Sequence, residues 1–215
     1  MERKEIKELA KSKIKGNKWN IWWPLLVISV IEGILNGLFG PKYSIDPDTM
    51  AVAVTGGSQL IGNLVSIVMG IVIAGYMKYI LDFVRTGKFD SSVIIETVKK
   101  KWVNILIATI LVGVIVGLCS ILFVIPGIIM ALAYSLVMLL VIDTDVKASD
   151  ALKQSRELMK GHKWEYFVFG LSFIGWVLLI PCTLGLILIW LAPYMIVASV
   201  IYLDNLMPKT KKSEK

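Results

Sequence analysis

The chain has 215 residues, of which 56% are apolar and 18% charged, and its mean hydropathy is +0.74. This composition excludes a disordered chain, which is poor in apolar residues, and an ordinary water-soluble domain, whose apolar share is nearer half. The charged residues lie between long apolar runs, which is the arrangement that a lipid environment requires. The composition therefore predicts an integral membrane protein.

Six apolar runs follow one another along the chain, over about residues 21–39, 60–81, 103–125, 128–142, 166–180 and 186–203. Each run is predicted to be helical, because lipid cannot satisfy backbone N–H and C=O groups and the runs lack the alternation of a membrane β-strand. The predicted fold class is all-α, a polytopic helical membrane protein with six transmembrane helices and amphipathic cytoplasmic surface helices. Its predicted parts are an amphipathic helix over residues 1–20, a membrane domain over 21–205 and a basic tail over 206–215.

The last four spans are predicted to form two hairpins. One helix over residues 103–142 would be about 60 Å long, twice the hydrocarbon core of a bilayer. Pro126 and Gly127 supply a break near the middle of this stretch, and residues 181–185, which include Pro181 and Gly185, separate the last two spans in the same way.

Lysine and arginine predict the orientation. Residues 1–20, 78–101, 143–165 and 204–215 hold seven, six, five and four of the 23 basic residues, and Lys42 is the one left over. Basic residues concentrate in cytoplasmic segments, so we expect a multi-pass protein of the bacterial plasma membrane with both termini in the cytoplasm. The excess positive charge on that face favours anionic lipid headgroups as partners, and no nucleic-acid recognition motif occurs.

A short basic motif recurs just before predicted spans. It has the sequence Lys-Gly-x-Lys-Trp at residues 15–19 and again at residues 160–164, and a degenerate copy lies at residues 99–102. We expect each copy to follow or form an amphipathic surface helix, with the glycine in a left-handed cap, the lysines near phosphates and the tryptophan at headgroup depth. The predicted headgroup contacts are Lys15, Lys18, Trp19, Lys101, Trp102, Lys160, Lys163 and Trp164. Ordinary basic flanking of membrane spans is the alternative explanation.

Residues for catalysis or cofactor binding are scarce. The sequence has one histidine, His162, so it cannot form a two-histidine zinc motif, and it lacks the glycine-rich motifs that bind nucleotide phosphates. The paired carboxylates Asp46 with Asp48 and Asp143 with Asp145 could hold a cation, but turn and capping roles are more common for such pairs. No catalytic residue, metal site or cofactor is therefore predicted.

Polar residues within the runs form a candidate intramembrane site. Glu32 and Asn36 lie on one face of the first span, and Lys78 and Asp82 form an i, i+4 pair at the border of the second. Glu32 is expected to face protein or a water-filled recess; both a structural and a functional role stay open for it. Small residues recur every fourth position at Ser29, Gly33 and Gly37, at Gly62, Ser66, Gly70 and Ala74, and at Thr109, Gly113 and Gly117. These faces are predicted to pack closely, either within one chain or between two copies.

The chain resembles a known family over most of its length. The similarity is carried by residues 6–11 with Lys15-Gly16-Asn17 and Trp19, by residues 125–129 and 133–135, by residues 151–164, and by residues 171–176 with Pro193-Tyr194. These segments resemble the bacterial membrane proteins of domain of unknown function 975, and residues 151–164 also resemble, more loosely, membrane domains attached to some glycerophosphodiester phosphodiesterases. The resemblance implies an uncharacterised integral membrane protein of Gram-positive-type bacteria and supplies no catalytic residues.

Three functions stay open. The first is a non-enzymatic lipid-contacting scaffold or partner subunit of the bacterial envelope, for example in stress or in protection against membrane-active peptides. Its partners would be membrane lipids and a second copy of the chain or another membrane protein. The second is a small transporter or exporter component, for which Glu32 and the paired hairpins are the argument. The third, an intramembrane enzyme acting on lipid, has the least support because no acid, base or metal set is evident.

Overall fold

The structure is a computed structural model that describes residues 3–45, 52–183 and 187–208, and helices make up most of it. The helices are α1 (Arg3–Ile14), α2 (Lys18–Phe39), α3 (Gln59–Thr86), α4 (Ser92–Leu122), α5 (Val124–Ala133), α6 (Val137–Asp143), α7 (Ala148–Leu158), α8 (Lys163–Leu171), α9 (Ile174–Val177), α10 (Leu179–Cys182) and α11 (Leu188–Leu206). Two strands, β1 (Lys42–Ile45) and β2 (Val52–Gly56), pair antiparallel between α2 and α3. The sequence did not indicate this hairpin. Three predicted features lie outside the described residues: the candidates Asp46 and Asp48, residues 184–185 at the end of the predicted 181–185 turn, and the tail from residue 209.

Five stretches of helix are long and apolar enough to cross a membrane. They are Lys18–Phe39, Gln59–Thr86, Ser92–Ile121, Val124–Asp143 and Lys163–Cys182, and an apolar helix over Leu191–Leu206 is shorter. The first five correspond to the first five predicted spans, and the short helix corresponds to the sixth. The helical fold class is confirmed, while the count of six transmembrane helices stays a prediction.

Several helix ends meet at one end of the bundle. Arg85 near the end of α3 contacts Asp143 at the end of α6 and Asp204 near the end of α11. The start of α2 joins the same region through a hydrogen bond from Tyr79 of α3 to the Asn20 carbonyl. We call this the basic end, because Lys78 and Arg85 lie here and the first Lys-Gly-x-Lys-Trp motif directly precedes Asn20. Tyr166, two residues after the second motif, packs on Tyr202 near the end of α11, with ring centroids 5.1 Å apart.

The core lies between α3, α6 and α11. Helix α6 is buried almost completely, and Leu139, Leu140 and Val141 expose no surface. Both α3 and α11 contribute buried aromatic or aliphatic side chains toward the same cluster, including Tyr76, Ile80 and Val197. A short helix that is apolar on all sides suits this central position, because it has no polar face to keep in contact with water.

The break between the third and fourth predicted spans lies at Phe123, three residues before the predicted break at Pro126. Phe123 is extended, with φ −156° and ψ 137°, and separates α4 from α5. Pro126 is the third residue of α5, where its missing N–H costs nothing because the first N–H groups of a helix have no intrahelical partner. Gly127 is needed for close packing, because a Cβ there would overlap Ser120 Oγ.

Helix α4 corrects another expectation. Residues 99–102 were predicted to belong to a separate surface element, but α4 runs unbroken from Ser92 to Leu122. Its 31 residues span about 46 Å at 1.5 Å per residue, so α4 extends well beyond a bilayer core. Helices α6 and α7 pack on α4. Lys101 and Asn104 of α4 form hydrogen bonds to the residues that connect these two helices.

The small-residue faces are mostly open within the chain. A Cβ added at Gly33, Gly37 or Gly70 would meet no atom within 4 Å, and the same holds for Gly113 and Gly117. The packed side of α2 instead carries bulky residues at seven-residue spacing, namely Ile21, Ile28 and Leu35. Gly33 and Gly37 therefore do not form the contact between α2 and α3, which large apolar side chains fill, and packing of this face between two copies stays a prediction.

Candidate lipid-binding site

The two complete Lys-Gly-x-Lys-Trp motifs adopt the same backbone geometry. We call residues 15–19 the first elbow and residues 160–164 the second elbow. Gly16 and Gly161 both have φ +90°, as the left-handed cap predicted. In each case the residue after the glycine donates its N–H to a carbonyl three residues earlier, from Asn17 to Ile14 at 2.9 Å and from His162 to Met159 at 3.1 Å. The motif therefore encodes one turn used twice.

The helices that lead into the elbows pack on the protein itself. Helix α1 buries Ile6, Ala10 and Ile14 and lies along α11. Helix α7 buries Ala148, Ala151, Leu152 and Ser155 against α4 and α6. These helices were predicted to be amphipathic surface helices, and in the structure their apolar stripes pack on the protein's own helices.

Side-chain hydrogen bonds fix α7 in place. Ser155 donates from Oγ to the Ala133 carbonyl at 2.8 Å, at the bend between α5 and α6 where the helical bonding is interrupted. Asn104 of α4 accepts from the Ala148 N–H and donates to the Val146 carbonyl, which caps the start of α7. The second elbow is thus attached to a rigid support.

The tryptophans of the elbows remain exposed. The exposed fraction is 69% for Trp19 and 72% for Trp164, although these are among the largest apolar side chains of the chain. Lys15, Lys18 and Lys160 are exposed as well, and Lys163 is half-buried. Exposed indole beside lysine is the combination that settles at the boundary between acyl chains and headgroups.

Lys101 does not share this exposure. Its Nζ donates to the Thr144 carbonyl at 2.7 Å and to the Ile142 carbonyl at 3.2 Å, and it forms an ion pair of 3.2 Å with Asp145. A cation near the last carbonyls of a helix is stabilised by the helix dipole, here that of α6. Lys101 therefore binds the protein's own backbone, whereas its neighbour Trp102 is exposed.

A groove of about 830 Å³ lies beside the first elbow. One wall comes from α1 and the start of α2, and the other comes from α9 and α11. The lining residues are Lys11, Ile14, Lys15, Lys18, Trp19, Trp22, Trp176, Ile187, Leu191, Pro193 and Tyr194. Three of these described residues are lysines, and the other eight are apolar or aromatic.

The predicted polar site is divided by the structure. Lys78 and Asp82 form the expected pair at 2.7 Å, and Lys78 also contacts Asp143 at 3.0 Å. Arg85 joins Asp143 to Asp204, so five charged side chains link α3, α6 and α11 at the basic end. The sequence analysis missed Arg85, Asp143 and Asp204 as members of this cluster. The available signal was an acidic residue directly after the second, fourth and sixth apolar runs.

Glu32 and Asn36 lie far from that cluster. Asn36 lies near Gly62, and Gly62 is 16 residues before Lys78, or about 24 Å along α3. Glu32 is half-buried and makes no hydrogen bond or ion pair with the part of the chain that the structure describes. The four predicted polar residues therefore do not form a single site.

Metal-ligating and nucleophilic side chains do not converge in the described residues. No group of three or more His, Cys, Asp or Glu side chains that could hold a metal occurs there. His162 lies 3.5 Å from Glu165 in the second elbow, and Cys119 and Cys182 are free.

These features define a helical protein with five stretches able to cross a membrane, two matching basic elbows and a lysine-rimmed apolar groove. The chain belongs to the family described as "Protein of unknown function (DUF975)", whose model matches residues 1–137 and 121–210. The resemblance inferred from the sequence is thereby confirmed. No curated protein and no solved structure matches the chain.

Proposed function

We propose that this protein is a non-enzymatic, lipid-contacting scaffold of a bacterial plasma membrane, which crosses the bilayer six times with both termini in the cytoplasm. The observation that carries the proposal is the pair of elbows, which share the same Gly conformation and each expose a tryptophan beside lysines. Each elbow is held by a helix that packs on the membrane bundle, so lipid contact would be transmitted directly to the core. The charge of the chain, +7, favours an anionic leaflet.

The orientation can be tested with single cysteines in a background that lacks Cys119 and Cys182. With six spans and cytoplasmic termini, a membrane-impermeant reagent applied to intact cells labels cysteine at Lys42 and leaves cysteines at Lys13, Lys88 and Lys153 unlabelled. All four positions label after the cells are opened, which controls for reactivity. Labelling at Lys153 from outside contradicts the arrangement of the last two hairpins.

The scaffold role can be tested in a deletion strain. We expect loss of the gene to change sensitivity to cationic membrane-active peptides or the set of co-purifying membrane proteins. A variant with Trp19→Ser and Trp164→Ser should fail to complement, whereas Trp102→Ser, which alters an exposed tryptophan outside the two elbows, should complement. Complementation by the double elbow variant at normal protein levels contradicts the proposal. Failure of Glu32→Gln alone would instead favour the transporter hypothesis, because that change preserves hydrogen bonding and removes the charge.

A further inference from the structure

We propose that the groove beside the first elbow is a discrete site for one anionic phospholipid. Its phosphate would lie at Lys11, Lys15 and Lys18, and an acyl chain would lie between the indoles of Trp22 and Trp176. This inference rests on the proposed lipid contact at the elbows and goes beyond it, because it predicts a stoichiometric ligand rather than a general preference at the boundary.

The chemistry of the lining selects an amphiphile. The three lysines come from α1, the first elbow and the start of α2, and they are the charged side chains of the described lining. A small soluble anion would bind the lysines but leave Trp22 and Trp176 unused. An uncharged apolar ligand would cover the indoles and gain nothing from the positive potential of the three lysines. A molecule with one anionic end and an apolar body satisfies both parts.

The walls are formed in advance by the fold. Ile14 and Leu191 line the groove and also belong to the core, with exposed fractions of 7% and 4%. Helix α1 is fixed to the opposite hairpin by Lys7, whose Nζ donates to the Ser172 carbonyl at 3.4 Å and lies 4.4 Å from the centre of the Phe173 ring. Burial, together with the nearby charges of Lys11 and Arg3, lowers the pKa of Lys7. A ligand therefore enters a groove whose two sides are already held together, which lowers the entropy cost of binding.

The membrane bilayer is the source of ligand to which the geometry points. Trp19 lies on the rim and is exposed, so the groove opens next to the residue expected at headgroup depth. A phospholipid could enter laterally, with its headgroup on the lysine side and its tail among Trp22, Trp176 and Leu191. A volume of about 830 Å³ holds part of such a lipid and leaves the rest in the surrounding bilayer.

The test is a lipid titration of the full-length protein, delipidated in a neutral detergent and observed by native mass spectrometry. Phosphatidylglycerol and phosphatidylcholine with identical acyl chains are the probes, and inorganic phosphate is added as a competitor. We expect one phosphatidylglycerol to bind before any second lipid, phosphatidylcholine to bind more weakly, and phosphate not to displace the lipid. The variant Lys11→Gln/Lys15→Gln/Lys18→Gln should bind phosphatidylglycerol roughly a hundredfold more weakly, at about fivefold for each lysine near an anionic headgroup.

Two further variants make the result specific. Lys88→Gln/Lys147→Gln/Lys153→Gln removes the same charge at exposed lysines outside the groove and outside both elbows, and should change the affinity only a few-fold. Trp176→Ala keeps every lysine and should weaken the binding of phosphatidylglycerol. It should leave the thermal unfolding temperature unchanged, because Trp176 is 53% exposed. Equal affinity for the two lipids, equal loss in both triple variants, or displacement by phosphate would overturn the proposal. The protein could also prefer anionic lipids at its boundary without binding one lipid tightly. That result would contradict the groove site and would still agree with the proposed scaffold function.

Discussion

Tyr79 of α3 donates a hydrogen bond of 2.7 Å from its hydroxyl to the carbonyl of Asn20 in α2. In a regular helix this carbonyl would accept a hydrogen bond from the N–H of residue 24, but Pro24 has no N–H to donate. Tyr76, one turn away in α3, donates to the next carbonyl, that of Ile21, at 2.9 Å. Tyr79 therefore supplies the bond that proline cannot make, and the two tyrosines together attach α2 to α3 directly after the first elbow.

We expect Tyr79→Phe to lower the free energy of unfolding by about 1–2 kcal/mol, because the Asn20 carbonyl loses its partner. Pro24→Ala restores a backbone N–H to that carbonyl, so Tyr79→Phe should cost less in the Pro24→Ala background. The double-mutant cycle is measured by thermal unfolding in detergent. The same cost in both backgrounds would show that Tyr79 does not act through the proline gap.

The ionic cluster at the basic end should contribute more than surface pairs do. Asp143 exposes 7% of its side chain and contacts both Lys78 and Arg85. Asp143→Asn should therefore destabilise the protein by about 2–4 kcal/mol, because it leaves two partly buried cations with less compensation. The matched control is Glu96→Gln in the pair Lys100–Glu96, whose side chains are 70% and 57% exposed and which should change stability by at most about 0.5 kcal/mol. A cost for Asp143→Asn as small as that of the control would mean that the cluster does not join the three helices.

The elbow glycines should resist substitution for conformational reasons alone. Gly16→Ala and Gly161→Ala each place a Cβ in open space but at φ +90°, so we expect a cost of about 1–2 kcal/mol each. Asparagine tolerates this conformation better and should cost less than alanine at both positions. Gly113→Ala is the control, since Gly113 is helical and equally open, and alanine there should stabilise by up to about 1 kcal/mol. Stabilisation by Gly16→Ala would contradict the left-handed conformation.

Two glycines of α3 differ in packing: Gly75 lies close to α4, whereas Gly70, which belongs to the predicted small-residue face, is open. A Cβ at Gly75 would lie 2.8 Å from the Ile94 carbonyl oxygen of α4, whereas a Cβ at Gly70 meets nothing within 4 Å. Gly75→Ala should destabilise by about 1–3 kcal/mol because α4 must move away. Gly70→Ala, at the predicted small-residue face, should be neutral or stabilising when both variants are unfolded thermally. If Gly70→Ala is the more harmful of the two, the face is occupied by something outside the chain.

The sequence predicted those features that depend on local composition. Apolar runs located the five long helices, and the Lys-Gly-x-Lys-Trp spacing predicted the left-handed glycines, because backbone chirality acts within a few residues. The i, i+4 pair of Lys78 and Asp82 was predicted for the same reason.

Features that depend on tertiary packing were missed. Which face of α2 is buried depends on α3, and spacing of small residues did not distinguish Gly70, which is open, from Gly75, which contacts α4. The role of Lys101 as a cap for α6 joins residues about forty positions apart. The groove is formed by residues of α1, α2, α9 and α11, so no pattern within a single segment could predict it.

The central claim is that the two elbows bind anionic lipid, and boundary-lipid selectivity measures this most directly. The protein is placed in a phosphatidylcholine bilayer with traces of spin-labelled phosphatidylglycerol or phosphatidylcholine, and the protein-associated fraction of each is read by electron paramagnetic resonance. We predict a preference for phosphatidylglycerol that is lost when Lys15, Lys18, Lys160 and Lys163 are all changed to Gln. The preference should persist when the exposed lysines Lys88, Lys99, Lys147 and Lys153 are changed instead. Equal association of the two lipids with the unmodified protein, or equal loss in the two variants, would contradict the account.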